Sequence, residues 1–444
     1  DIPARAKTDT IPFHPVRMTI STRQLGCSVL LLCPCLFGHQ LDLPDLGPNP
    51  ANRNSSEPHI QRFHAYMEKH GRTYQPGTEE YDKRLALFRQ RVVDIDAHNS
   101  NPDRRWNAAV NHLTDRTGEE LRRLRGYRRH SRSSVDGAST GGRQRGSFLS
   151  HSVRSVDLSK LPADWSWAPR LQAMQDVRDQ GTCGSCWAFA SATVLRAHSE
   201  LYQRDRTFSV QQMVSCTPNP NKCGGSGGCE GATAELAMEY ASRVGLTTES
   251  HMRYDSKASI CPSSMQAPKP TLRSLLRDHL KLSPSADGGA SFGMLGWRKL
   301  PENKMEPLML AVFEQGPVAT SVMASDTWNA YGGGVLDTCE RDAVINHAVT
   351  LVGYGAAEGA KYWQIQNSWG PDWGERGFIR LLRHESQDEN AYCGWDRQPD
   401  LGTGCQGGPP QVFVCGSCGI LYDSVVPNFQ LSQDGWLAKN GLQS

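Results

Sequence analysis

The stretch Gln180-Gly181-Thr182-Cys183-Gly184-Ser185-Cys186-Trp187-Ala188-Phe189 decides the reading of this chain. It opens with a Gly/Ser-bearing turn and runs into residues Ser185–Leu201, whose pattern predicts a helix. Cys186 therefore stands where a helix begins. Nucleophilic attack by sulfur needs the thiolate, which a free thiol yields only sparingly near neutral pH. The partial positive charge of a helix N-terminus favours that anion, and a nearby imidazolium would complete an ion pair. The best-placed histidine is His347, in Asn346-His347-Ala348-Val349-Thr350-Leu351-Val352-Gly353-Tyr354-Gly355. It opens an apolar run that reads as a strand, so it can be held rigidly at an edge.

A Cys-x-x-Cys pair can also serve redox exchange or zinc. Cys183 and Cys186 have that spacing, and Cys415-Gly416-Ser417-Cys418 repeats it. A redox pair expects a preceding strand in a βαβ unit, which the pattern lacks, and the two pairs lie far beyond the ~15–20-residue spacing of a zinc ribbon. A third block, Gln366-Asn367-Ser368-Trp369-Gly370, follows His347. Together these blocks resemble papain-like cysteine peptidases of the cathepsin L-like branch, whose cysteine carries the Cys183–Trp187 signature. The resemblance extends over roughly residues 58–427.

That resemblance implies an α+β fold of two subdomains, one helical and one β-barrel-like, with substrate in the cleft between them. Cys186 would start a helix in the first; His347 and Asn367 would come from the second. Asn367 would accept a hydrogen bond from the imidazole and fix its tautomer, and Trp369 would cover that bond from water. Gln180 and the Cys186 N–H would hold the oxyanion. Gly231 would bind the substrate backbone, although Cys229-Glu230-Gly231-Ala232 keeps one glycine of the family's pair. Thr233, Ala234, Ser321, Asn346 and Trp369 would complete the substrate site, and their small or polar character leaves the preferred side chain open. No His-His occluding loop is recognisable, which favours an endopeptidase. No metal or organic cofactor is implied.

The family places ~130–150 residues between the cysteine and its partners; here 161 separate Cys186 from His347 and 181 separate it from Asn367. Lys269–Pro301, polar and rich in Gly, Pro and Ser, reads as an inserted surface loop. A second insertion spans roughly His384–Ser417. The chain has 14 cysteines: Cys27, Cys33 and Cys35, then none until Cys183, then eleven. With Cys186 free, ten remain. The family pattern implies Cys183–Cys229, Cys216–Cys261 and Cys339–Cys418, and leaves Cys223, Cys393, Cys405 and Cys415 with no fixed pairing.

The segment in front is cysteine-free and helical in pattern over residues 58–130. Glu80, Arg84, Phe88, Ile95 and Asn99 fall near one face. They match the interrupted ERFNIN motif of cathepsin L-like propeptides, with Arg91 in place of the first Asn. Trp106–Asp115 resembles the second propeptide block, with Ala109 and Leu113 replacing Gly and Phe. The resemblance implies an intramolecular inhibitor, released at acidic pH as carboxylates such as Asp115 lose their charge. Residues 131–160 form a Ser/Gly/Arg-rich linker that should be exposed and easily cut.

The whole chain has 444 residues and a net charge of +2, which removes the electrostatic argument for nucleic acid. Arg23 and the apolar run Leu25–Phe37 form a signal-peptide pattern over 18–38, too short for a comfortable span. Residues 1–17 precede Met18 and read as outside the natural product; 39–57 read as a linker holding the sequon at Asn54. The sum is a secreted zymogen of residues 161–444 behind its propeptide, monomeric, without a membrane anchor, bound for a lysosome-like vacuole or the exterior. A catalytically dead homologue that binds or stores is the alternative; all four catalytic positions are filled.

Overall fold

The computed structural model describes residues 57–126, 158–266 and 288–440. The signal-peptide pattern, the Asn54 sequon and nearly all of the basic linker lie outside them. The N-terminal part begins with α1 (Glu57–Lys69) and α2 (Glu79–Asn99). Thr78 caps α2 by accepting from the Tyr81 N–H, and Glu79, Glu80 and Asp82 fill its first turn, where acids complement the helix dipole. Phe63 and Tyr66 of α1 pack on Tyr81, Leu85, Phe88 and Val92 of α2, a small core of their own. Reading 58–130 as wholly helical needs one correction. Trp106–Ala108 is a strand, β1. The Asn99 amide donates to the Ala108 carbonyl (2.8 Å) and accepts from its N–H (2.9 Å), so it pairs one residue as a neighbouring strand would. α3 (Gly118–Leu124) follows, opened by a capping box between Thr117 and Glu120.

The C-terminal part has two lobes. After β2 (Trp165–Ser166) and α4 (Gln172–Gln175), the helical lobe is built on α5 (Cys186–Tyr202), α6 (Val210–Cys216) and α7 (Ala234–Val244). Trp187, Phe189, Leu195, Phe208, Met213 and Met238 fill its core. α5 is buried nearly all round, because its other side, through Ala197 and Leu201, belongs to the core of the sheet lobe. That lobe comprises β3 (Met294–Lys299), β4 (Val318–Val322), β5 (Tyr331–Leu336), β6 (His347–Ala357), β7 (Ala360–Gln366), β8 (Phe378–Leu382) and, after a ribbon described below, a last strand (Asp423–Phe429). β6 and β7 are joined by two residues, Glu358 and Gly359, both at positive φ, the geometry that a tight right-twisted hairpin demands.

The first insertion is not a loop throughout. Its second half carries β3, which pairs with Asp423–Phe429 while Phe292 and Met294 turn inward. A polar, glycine-rich composition hid those two apolar anchors. The second insertion contains a helix (Ser386–Ala391) and an antiparallel ribbon of β9 (Cys393–Asp396) and β10 (Val412–Cys415), making Asp423–Phe429 β11. The main sheet runs β1-β5-β8-β7-β6-β4-β11-β3, with β2 on β6, so the N-terminal segment contributes an edge strand to the catalytic part's own sheet. No helix among the described residues is long and apolar enough to cross a membrane.

Candidate active site

The turn before α5 leaves its first amides open: Ser185 makes no side-chain cap and instead bonds the Tyr254 hydroxyl at 2.6 Å. Cys186, first residue of that helix, is fully buried and is the one free cysteine among the described residues. The backbone N–H groups of Ala348, Trp187 and Cys186 itself face its sulfur, yet burial outweighs them and pushes the thiol up to about 12. Ala348 follows His347, so the strand that carries the imidazole also touches the sulfur. His347 Nε2 lies 2.8 Å from Asn367 Oδ1. That oxygen also accepts from the Ser368 N–H at 2.8 Å, which fixes the amide's orientation and requires Nε2 to carry the proton. His347 Nδ1, buried and without a partner, keeps its lone pair. Burial lowers the imidazole to about 4; the Asn367 bond opposes this and the charge of Arg125 adds to it.

Trp369 lies 5.0 Å from the His347 ring, centroid to centroid, and is 1% exposed. In this closed form it covers the His347–Asn367 bond. Ser321 is buried in this closed form and donates to Asp423 Oδ2 at 2.7 Å. Asn346 caps the Ala324 N–H at 2.9 Å, while Thr233 caps α7. Ala234, the first residue of that helix, is buried in the helical core.

The cleft is filled by the chain's own N-terminal segment. Gln180 Nε2 donates to the Leu124 carbonyl at 2.8 Å and to the Cys183 carbonyl at 2.9 Å, and its oxygen accepts from Ser368. The Cys186 thiol meets the Arg125 carbonyl at 3.5 Å. Gly126 comes next, at φ +74°; a Cβ there would lie 2.5 Å from the Cys186 sulfur. Gly231, at φ +95°, faces it, and a Cβ on Gly231 would overlap the Gly126 carbonyl. Two glycines thus let two backbones meet beside the thiol. Further along, β1 pairs with β5 through Trp106–Gly334 and Asn107–Gly333, and the Ala109 N–H donates to Ala330 O. The Asn111 amide reaches Asn329 O at 2.9 Å.

Leu124, Arg125 and Gly126 escape a local reading of the sequence. Gly126 does carry a signal, since a glycine just past a short helix marks a C-terminal cap. Its partner, however, lies more than a hundred residues away. Among the described residues five disulfides form: Cys183–Cys229, Cys216–Cys261, Cys339–Cys418, Cys223–Cys405 and Cys393–Cys415. The last two resolve the pairing that spacing left open.

A buried free thiol at the start of a helix, an Asn-held imidazole on the strand whose next amide faces that sulfur, and the chain's own leading segment lying over them define a cysteine peptidase in its proform. Comparison with known proteins agrees. The model for "Papain family cysteine protease" matches residues 161–403, and that for "Cathepsin propeptide inhibitor domain (I29)" matches residues 63–121. The chain belongs to the papain family of cysteine proteases. It is 31% identical to a senescence-specific cysteine protease of Arabidopsis thaliana over 76% of this chain and 88% of the relative. It is 32% identical to vignain of Vigna mungo, over 71% and 78%. Among solved structures, a recombinant stem bromelain precursor superposes with a TM-score of 0.59 at 26% identity, covering 84% of this chain and 99% of the other.

Proposed function

We propose that this protease is an endopeptidase whose chemistry is carried by Cys186, His347, Asn367 and Gln180, and which matures when acid loosens its propeptide. Cys186 Sγ attacks the scissile carbonyl carbon, forming a tetrahedral oxyanion held by the Gln180 side-chain amide and the Cys186 N–H. His347, as imidazolium, gives its proton to the departing amine, leaving a thioester. A water molecule, deprotonated by His347, then attacks the thioester and releases the acid and the thiolate. Asn367 orients the imidazole throughout, and Gly231 lets the substrate backbone approach. The observation that carries this reading is the Leu124 carbonyl in the grip of Gln180 beside Cys186: a peptide already occupies the place the chemistry requires.

The acid step follows from His347. Buried and neutral in the proform, it is held below the ordinary imidazole value of ~6.5, so falling pH favours the released form in which it is free to take up a proton. The five disulfides support an oxidising compartment. We therefore place the protein in the secretory pathway, behind a signal peptide at 18–38, with a propeptide at 58–130, a cut linker at 131–160 and a monomeric peptidase at 161–444. Its end point is a lysosome-like vacuole or the extracellular space. The test is direct. Acid-matured protein should hydrolyse peptides, lose that activity when a thiol alkylator labels Cys186, and show none as Cys186→Ala. Hydrolysis that survives labelling, or none after complete propeptide removal, would sink the assignment.

A further inference from the structure

The loop between β9 and β10 does more than cover the sheet lobe. Asp396 Oδ2 accepts from the Ile345 N–H at 3.1 Å, and the Thr403 N–H donates to the Ile345 carbonyl at 3.1 Å. Both backbone groups of Ile345, two residues before His347, are therefore taken. Gly402 lies so close that a Cβ would overlap the Ile345 carbonyl. One residue past Thr403 the same loop reaches the opposite lobe. The Gly224 N–H donates to Gly404 O at 2.9 Å, Cys405 is bonded to Cys223, and the Gln406 N–H donates to Asn221 O at 2.9 Å. Gly224 in turn abuts Gly231, whose own Cβ would overlap the Gly224 carbonyl. The sequence of contacts from the thiol outward is thus Cys186, Gly126, Gly231, Gly224 and Gly404. The match to the papain-family model ends at residue 403, one short of this last contact.

We propose that Gly402–Cys405 is a strap that ends substrate recognition on the Gly231 side of the scissile bond. A peptide gains main-chain contacts as far as Gly231 and none past it, because the next donor along that line, the Gly224 N–H, is already paired with the strap. The imidazole must reach the leaving amine, so the leaving side runs towards His347 and the Gly231 side is the acyl side. This rests on the reading of Cys186 and His347 as the reacting pair. Cys223 and Cys405 touch no substrate; they clasp the strap across two lobes.

The experiment is a series of peptides with one leaving group and the same two acyl-side residues, lengthened by one to four residues at either end, given to the matured wild-type enzyme. Each main-chain hydrogen bond gained would raise kcat/KM by about threefold to tenfold. The strap predicts a flat response to acyl-side lengthening, while the leaving side serves as the control. A rise of that size with each of the third and fourth acyl-side residues overturns it. In a folded Cys223→Ser/Cys405→Ser variant the shortest peptide should be hydrolysed at the wild-type rate, while longer acyl-side peptides gain at least threefold over it. A lobe brace alone would lower thermal stability and leave the ratio of long to short peptides unchanged, and that result also overturns the proposal. Failure to hydrolyse even the shortest peptide speaks against the catalytic assignment and not the strap.

Discussion

His347 sets the direction of the pH response. In the proform its imidazole is held at about 4, whereas a solvated histidine titrates near ~6.5. The closed form therefore binds fewer protons than the open one between those values. As pH falls through that window, opening should gain up to about tenfold per unit and then level off. In Cys186→Ala protein, cutting of the propeptide by an added protease should rise from pH 6.5 to about 4, and adding His347→Ala should flatten the rise. A level profile in the parent would count against the mechanism. Asn367 should matter through orientation: Asn367→Ala removes the acceptor of the Nε2 proton and should lower kcat/KM of the matured enzyme by about tenfold to a hundredfold. Gly126 is the third such position. Gly126→Ala places a methyl against the sulfur and strains a left-handed backbone, so the intact zymogen should leak activity on a small substrate.

At the scale of elements, the propeptide is clasped separately from the cleft it plugs. Arg84, 8% exposed in its side chain, bonds Glu120 through two nitrogens at 2.6 and 2.9 Å, and reaches the Asp115 carbonyl at 2.9 Å. Burial would raise Glu120, but Arg84 and the Thr117 cap more than offset it and hold the carboxyl at about 2. A depressed carboxylate contributes stability above its unfolded value of ~4.3 and loses it as pH falls towards the folded one. The clasp thus stays charged through the range in which His347 loosens the cleft, so acid should free the plug before it melts α2 and α3. Arg84→Ala should destabilise the propeptide by ~2–3 kcal/mol, read as an earlier transition on urea unfolding of the Cys186→Ala zymogen. Much of this was legible in sequence, because helical spacing brought Glu80, Arg84, Phe88, Ile95 and Asn99 to one face. Glu120, the partner that completes Arg84, was not, since the contact spans 36 residues and two helices. Arg91 shows the same limit: it stands where the family has Asn, and it binds the Leu113 and Thr114 carbonyls at 2.9 Å.

Over the whole molecule, local signals located the reacting pair and tertiary contacts determined the rest. Cys186 and His347 open a helix and a strand whose periodicities are plain, as are β4, β7 and β8. The strand β3 was hidden because half of what it needs, β11, lies more than a hundred residues further on. Ser321 and Trp369 are both buried in the proform, one bonded to Asp423 and the other against the His347 ring, and sequence position does not reveal either partner.

The seat of β1 has a further consequence. The strand of the catalytic part that receives it, β5, is joined to β8 on its other side, so loss of the propeptide turns β5 into an open sheet edge. Such edges are templates for stray strands and for aggregation. Here the edge is Gly332-Gly333-Gly334, three residues without side chains for an intruder to pack against. The propeptide thus acts as a temporary edge guard while the chain folds, and the bare glycines limit the hazard after it has gone.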